Sequence, residues 1–418
     1  VRVLFTTYSE KTLFLPMVPL AWALRTAGHE VRVATQPALV DAVTKAGLTA
    51  VPVGRNHIMW RLMEISPGET EVARGGPLPP FDVAEYPERI GWEYLRDGYE
   101  EVVPVNRVIN NRMIPDLVSF CRSWEPDLVI WEPDTYAGAV AAKASGAAHA
   151  RLLWSLDFFG ITRGHFVQER DRQPAEEQQR DALAKWLGEQ AGRYGAEYSE
   201  DMATGQFTID QLPESLRTEA DLHYVPMRYV PYNGTAAVPK WLWQKPERPR
   251  VCLTLGTTAT DRFGGYAVSV PDILDSLSDL DIEVVATLPD KERDKLERIP
   301  DNTRIVPFVP LHALVPTCSA VIHHAGFGTL CTSALNAVPQ LVMPDHFDEP
   351  PLARKLAEQG AGVMLDAREA TGQRVREQLL RLLEEPSFTK DATRLAEEIR
   401  AMPTPNELVP TLEQLAGA

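Results

Sequence analysis

The residue types best suited to chemistry are gathered in Val321–Thr329, which reads VIHHAGFGT. A hydrophobic run ends in two histidines, passes through a turn of small residues and enters a segment with helical spacing. Gly326 and Gly328 let a ligand come close to the backbone, since no Cβ stands in the way. The free N–H groups and the dipole at the start of a helix attract an anion. His324 can add a hydrogen bond or a positive charge, and Thr329 a hydroxyl. The spacing is neither GxGxxG nor a Walker A loop, which counts against a nicotinamide enzyme and against ATP hydrolysis. Taken alone, the segment is equally a glycine-rich turn capped by Thr329.

The elements that must position this turn alternate between two periods. Val1–Thr6 is a β-rich run, Pro19–Ala27 has helical spacing and stops at Gly28, Glu30–Thr35 is a strand, Gln36–Ala46 a helix and Leu48–Val53 a third strand. Such a βαβαβ order implies right-handed crossovers and a parallel sheet. Residues 55–125 are irregular, rich in Pro, Glu and aromatics, and read as loops and helices over a cleft. The alternation resumes with Asp127–Trp131, Ala137–Ala144 and His149–Trp154, and a polar helical stretch covers Pro174–Tyr198.

Residues 233–250 are broken by prolines and read as a linker. Beyond them strands are expected at Arg250–Leu255, Ile282–Thr287, Thr303–Val306, Ala320–His323 and Gln340–Met343. Helices are expected at Asp272–Leu280, Gly328–Ala337, Leu352–Gln359, Gln373–Glu384, Lys390–Ala401 and Glu407–Leu415. The reading is therefore two doubly wound α/β domains, 1–232 and 251–395, with segment 396–418 returning to the first domain. A ligand cleft is expected between them, beyond the carboxyl ends of the strands.

Composition bounds the ligands. The 418 residues carry 42 Lys+Arg against 58 Asp+Glu, a net charge of −16, which argues against polyanionic partners such as nucleic acid. Any phosphate must be held by local geometry. Cys121, Cys252, Cys318 and Cys331 have neither zinc-site nor disulfide-framework spacing. The opening VRVLFTT lacks a signal-peptide pattern, and no apolar stretch is long enough to span a membrane, so a cytoplasmic location is expected.

Strings along nearly the whole chain (VPLAWALRTAGHEVRVA, WEPDLVIWEP, HARLLW, MRYVPYNG, RVCLTLG, FVPLHALVPTC, HHAGFGT) resemble the GT-B nucleotide-sugar glycosyltransferases. More narrowly they are similar to the bacterial antibiotic branch that moves dTDP-deoxysugars onto polyketides, including the macrolide desosaminyltransferases. The resemblance implies that Phe308 stacks on the nucleotide base and that Val309 offers backbone groups to its edge. Gly256 and Thr257 would form the loop near the phosphates. His324, Gly326, Phe327, Gly328 and Thr329 would cradle the pyrophosphate, and Asp348 and Glu349 would bind the sugar. No cofactor or metal is implied beyond the dTDP-sugar co-substrate. A haem-less, cytochrome-like auxiliary activator protein is implied as a partner. The aromatics Trp60, Tyr86, Trp92, Tyr94 and Tyr99 could hold acceptor or partner, or be core.

Three positions depart from the pattern. Thr332 stands where plant-type relatives carry a ribose-gripping Glu, which favours a 2′-deoxyribose and so dTDP. Glu349 replaces the usual Gln and is a candidate partner for the ammonium of an aminodeoxysugar. Leu13 stands where the catalytic histidine is expected, and a leucine cannot take a proton. Glu132, and after it Asp134, are then the candidates for the general base, since both lie just past the strand Asp127–Trp131. The expected chemistry is attack of an acceptor hydroxyl on the anomeric carbon with inversion, the helix end and His324 stabilising the departing diphosphate. The Asp279–Leu280–Asp281 string falls at a helix-to-strand junction and is expected to be a decoy, not a metal motif. A sugar-nucleotide epimerase of the same fold and a non-catalytic nucleotide-sugar-binding scaffold are the alternatives.

Overall fold

The structure is a computed structural model and describes residues 1–61, 76–262 and 264–417. Seven parallel strands form the first sheet: β1 (Arg2–Thr6), β2 (Glu30–Thr35), β3 (Ala50–Pro52), β4 (Leu128–Trp131), β5 (Ala148–Leu152), β6 (Phe207–Asp210) and β7 (Tyr224–Pro226), in the order β3-β2-β1-β4-β5-β6-β7. Six form the second: β8 (Arg250–Thr254), β9 (Glu283–Thr287), β10 (Thr303–Val306), β11 (Ala320–His323), β12 (Gln340–Val342) and β13 (Gly362–Met364), in the order β10-β9-β8-β11-β12-β13. Strands such as β4 (LVIW) are buried along their length because helices cover both faces of a parallel sheet.

In each sheet the order reverses once, between β1 and β4 and between β8 and β11. There the helices that follow neighbouring strands leave to opposite faces and open a crevice at the carboxyl ends. Tyr8 and Glu10 follow β1, Glu132 and Asp134 follow β4, Gly256 and Thr257 follow β8, and His324 follows β11.

The two domains share an apolar cluster. Leu156, Phe158, Leu212, Leu216 and Tyr229 of the first pack with Phe327, Leu330 and Cys331 of the second. The helix Pro386–Ala401 adds Ala392, Leu395 and Ile399 to that cluster, and its Glu398 accepts from the Ser215 hydroxyl at 2.6 Å and the Ser215 N–H at 2.9 Å. The last helix, Pro405–Leu415, starts from a Thr404/Glu407 capping box and buries Leu408, Val409 and Leu412 beside Leu20 and Leu24 of the helix Val18–Thr26. Segment 396–418 is therefore divided. Its first residues finish a helix of the second domain's layer, and the return to the first domain begins near Pro403, whose carbonyl accepts the Arg228 N–H at 2.7 Å.

Several element boundaries differ from expectation. Residues 92–124 hold two long helices, Trp92–Asn110 and Ile114–Trp124. Their amphipathic spacing is masked in the sequence by Pro104 and Pro115. The stretch Pro174–Tyr198 is two helices, Ala175–Gln178 and Ala182–Gly192, because the Asp181 carboxylate caps the second by accepting the Ala184 N–H at 2.9 Å. The expected helix Asp272–Leu280 runs Val270–Ser276, started by Ser269. Strands β6, β7 and β13 were not expected, being only three or four residues long. Tyr99 is buried, Trp92 packs against Phe166 with centroids 5.5 Å apart, and the Tyr94 hydroxyl donates to Asp82 at 2.5 Å, so these aromatics serve the interior.

Leu412→Ala is expected to destabilise the protein by about 2–5 kcal/mol, the usual cost of truncating a buried leucine. Leu415→Ala, at a half-buried site on the same helix, should cost less. Denaturant unfolding of the two variants checks the ranking.

Candidate active site

The chemistry of the turn starts with His323, the fully buried last residue of β11. Its Nδ1 accepts the Ala325 N–H at 3.0 Å, and its Nε2–H donates to Gln340 Oε1 at 2.8 Å, so the ring is held neutral. Burial, and then the neighbouring His324, lower its pKa to about 3. The bond to Ala325 pins that residue in the left-handed region, at φ +70°, where an alanine rarely sits. That twist sends His324 toward the cleft.

The His324 imidazole lies between two glycines. A Cβ on Gly256 would stand 2.7 Å from its Cε1, and a Cβ on Gly326 would stand 2.4 Å from its Nε2. Gly256 also needs its positive φ of +67°. Burial, and then the His346 ring, lower the His324 pKa to about 4, against the opposing pull of the Thr254 carbonyl. His324 is thus neutral at pH 7, not the standing positive charge that its sequence position allowed.

Gly326 starts the helix Phe327–Leu335 with no side-chain cap; the Thr329 N–H turns back to the Gly326 carbonyl at 3.0 Å, and the N–H groups of Gly326, Phe327 and Gly328 find no acceptor among the described residues. The Phe327 side chain turns away, edge-on to Tyr229 at 5.4 Å in the interdomain cluster, so it offers the cradle only its backbone. Thr332 is buried and its hydroxyl donates to the Gly328 carbonyl at 2.6 Å, so its one proton is spent within the helix. The Tyr229 hydroxyl donates to the same carbonyl at 3.2 Å and ties the first domain to the cradle.

Phe308 is 53% exposed on the loop after β10, whereas its neighbour Val309 is buried. The Phe308 ring face is open to stacking by a planar group. Asp348 and Glu349 start the helix Glu349–Glu358. Burial raises the Asp348 pKa to about 6, partly offset by the Ser155 hydroxyl of the first domain. Glu349 turns inward: its Oε2 accepts the N–H groups of Asp345 at 2.9 Å and His346 at 3.0 Å, and its Oε1 lies 3.8 Å from His324 Nε2. Only Oε1 is left for a sugar ammonium, so the carboxylate first of all shapes its own loop.

Across the cleft, Glu132 is fully buried. It accepts the Thr135 hydroxyl and, at 2.9 Å, the Asp134 N–H, and Thr135 Oγ1 in turn accepts the Tyr8 N–H at 3.0 Å. Each of its oxygens accepts one hydrogen bond, and through Thr135 it braces the β1 and β4 loops. Asp134 is half-buried, and its carboxylate accepts no hydrogen bond from the described residues. Burial raises the proton affinity of both acids, and the charge of Asp134 raises that of Glu132 further. Leu13 is buried in the first domain's core beside Tyr8. Tyr8, pushed up by burial, senses Asp134, Glu132, Glu10 and Arg262, so the acids of the first domain and the helix Thr258–Arg262, which follows Thr257, face one cleft.

The Asp279–Asp281 string binds arginines: Asp279 pairs with Arg376, and Asp281 with Arg248 at 3.3 Å. No cluster of metal-ligating side chains occurs among the described residues. Sequence reasoning missed Tyr8, Glu10, Arg262 and His323. The rule that picked Asp134, a polar residue just past a strand at a switch point, would have found Tyr8 and Glu10 after β1.

Two parallel-sheet domains, a helix end open to an anion, and an acid opposite it define a GT-B transferase. Comparisons with known proteins agree. The N-terminal and C-terminal domain models of the erythromycin biosynthesis protein CIII-like family match residues 22–256 and 271–415. A 10-deoxymethynolide desosaminyltransferase of Streptomyces venezuelae is 50% identical, covering 100% of this chain and 97% of the relative. An aclacinomycin-T 2-deoxy-L-fucose transferase of Streptomyces galilaeus is 44% identical, covering 100% and 96%. Among solved structures, the glycosyltransferase VinC in complex with dTDP superposes with a TM-score of 0.90 at 37% identity over 100% of both chains. The chain belongs to the erythromycin biosynthesis protein CIII-like family, and it is a glycosyltransferase of the antibiotic deoxysugar branch. The epimerase and scaffold alternatives find no counterpart among these relatives. No helix among the described residues is long and apolar enough to cross a membrane.

Gly326→Ala is expected to displace the imidazole and lower kcat/KM by about 10²-fold, the scale of a 1 Å misplacement. Steady-state kinetics checks it. His323 and His324 stay neutral when folded yet take up protons when unfolded. Their contribution to stability is complete above about pH 6.5 and is lost as the pH falls through the folded pKa values of about 4 for His324 and about 3 for His323. Unfolding free energies measured from pH 7 to pH 4.5 should therefore decline, and His324→Gln should flatten part of the slope.

Proposed function

We propose that the protein transfers a deoxysugar, with aminodeoxysugars among the candidates, from a dTDP-sugar to a hydroxyl of a polyketide aglycone, with inversion and without a metal. The observation that carries this reading is the uncapped start of the helix Phe327–Leu335 with His324 seated between Gly256 and Gly326. The named substrates of the relatives support the donor and acceptor classes. One is a desosaminyltransferase acting on 10-deoxymethynolide, and a solved neighbour was crystallised with dTDP.

In this reading the thymine stacks on Phe308 and the diphosphate sits on the N–H groups of Gly326, Phe327 and Gly328, with the Thr329 hydroxyl beside them. The arriving negative charge raises the proton affinity of His324, so the imidazole donates to the leaving group in the step where charge builds. Asp348 and the remaining oxygen of Glu349 meet the sugar. The acceptor hydroxyl attacks the anomeric carbon from the opposite face, the bond to the diphosphate breaks, and the proton passes to Asp134. A cytoplasmic location and a haem-less, cytochrome-like activator belong to the same reading. The location rests on the absence of a signal-peptide pattern and of a long apolar stretch in the sequence, the activator on the family resemblance.

Incubation with dTDP-desosamine and a panel of 10-deoxymethynolide, erythronolide and aklavinone should release dTDP and form one glycoside, with the rate unchanged by EDTA. Epimerised donor without glycoside would defeat the reading. Asp134→Asn should lower kcat by about 10²–10⁴-fold, the worth of a positioned base. Because burial raises the Asp134 pKa, the acid limb of the wild-type pH–rate profile should lie above the ordinary carboxylate range and vanish in that variant. Glu132→Gln should keep most of the activity, since an amide oxygen still accepts from Thr135.

A further inference from the structure

The carboxyl end of β1 carries a polar group that the proposed reaction does not use. Glu10, in the loop after β1, accepts from the Trp60 indole N–H and, at 3.2 Å, from Arg262 of the second domain, whose guanidinium lies 5.1 Å from the Trp60 ring centroid. His57 Nε2 faces the same Glu10 oxygen at 3.6 Å. The His57 ring meets Tyr8 edge-on with centroids 5.1 Å apart, and its backbone N–H donates to Gln36 Oε1 at 3.4 Å. The side chain is 5% exposed, and its Nδ1 is buried without a hydrogen-bond partner.

A buried ring nitrogen without a partner is costly, and a ligand hydroxyl that reached it would recover that cost. The place supports a ligand. Tyr8 lies at the β1/β4 switch point and feels the charge of Asp134, and Leu13, one turn beyond Glu10, offers that corner only methyl groups. The Glu10 carboxylate favours the tautomer with the proton on Nε2, which leaves a lone pair on Nδ1. A lone pair in a buried corner selects an O–H group, not a carbonyl.

We propose that His57 is an acceptor-binding residue, whose Nδ1 takes a hydrogen bond from an aglycone hydroxyl other than the one that is glycosylated. The inference rests on the glycosyl-transfer reading above. Glu10 acts through His57 as a positioning residue, fixing the ring and its tautomer. Through Arg262 the same carboxylate links this acceptor corner to the helix after the phosphate loop, so the corner is completed only when the domains face each other.

The test uses whichever aglycone of the panel gives the highest kcat/KM with the wild-type protein. If none turns over, the glycosyl-transfer reading falls and this one with it, an outcome distinct from those below. His57→Phe is expected to raise the acceptor KM about 3- to 10-fold, the worth of one neutral hydrogen bond, while kcat at saturating acceptor changes less than about twofold. His57→Gln, whose amide oxygen accepts in a similar place, should recover most of the loss. The affinity for dTDP, measured by calorimetry on each variant, should not move. An unchanged acceptor KM in both variants overturns the proposal. So does a fall in kcat with the acid limb of the pH profile lost, which would make His57 a base. If His57→Phe fails to fold, the acceptor KM of His57→Gln, set against the more severe His57→Ala, decides on the same terms.

Discussion

The cleft is organised by the close packing of one imidazole between two glycines. The space that a Cβ would fill at Gly256 or Gly326 is occupied by the His324 ring, so β8, β11 and the helix Phe327–Leu335 meet around a single side chain. Three devices hold that arrangement. His323 pins Ala325 in the left-handed region, Glu349 closes the loop beside the ring, and Tyr229 reaches over from the first domain to the Gly328 carbonyl. The result is an uncapped helix start without a single basic residue in its first turn. In the proposed reading an acidic protein of net charge −16 holds a diphosphate because backbone dipoles are aimed at it instead of being summed over a surface.

The first domain is built to complement this centre. Glu132 is spent on holding the β1 and β4 loops together through Thr135, and that frees Asp134 to face the cleft as the less encumbered carboxylate. Among the described residues, ion pairs cross between the domains from Glu10 to Arg262, on the helix that follows Thr257, and from Glu85 to Arg354, on the helix that Glu349 starts. The apolar cluster around Phe327 and the return of the last helix to Leu20 and Leu24 fix how the halves face one another.

Much of this was legible in the sequence, for physical reasons. Parallel strands buried on both faces write themselves as runs such as LVIW, and the turn HHAGFGT follows from the need for close backbone approach. What could not be read is where a side chain spends its hydrogen bonds. Glu132 and Asp134 look alike in the string WEPDTY, and only the Thr135 hydroxyl and the Asp134 N–H set the hydrogen-bonded acid apart from its neighbour. Glu349 looked free for a sugar ammonium, yet its nearest donors are backbone groups of its own loop. The long helix Trp92–Asn110 was hidden because Pro104 interrupts its pattern, and His57 carried no signal because its partner Glu10 lies on a different element.

The central claim is that the helix start and His324 hold the departing diphosphate, and it is tested most directly by comparing dTDP with dTMP. Calorimetric affinities should be taken for the wild-type protein and for His324→Gln. The account predicts that His324→Gln weakens dTDP by much more than dTMP, and that dTDP binding to the wild type takes up protons near pH 6 while binding to the variant does not. Equal weakening of both nucleotides, or proton uptake that survives the substitution, would contradict it.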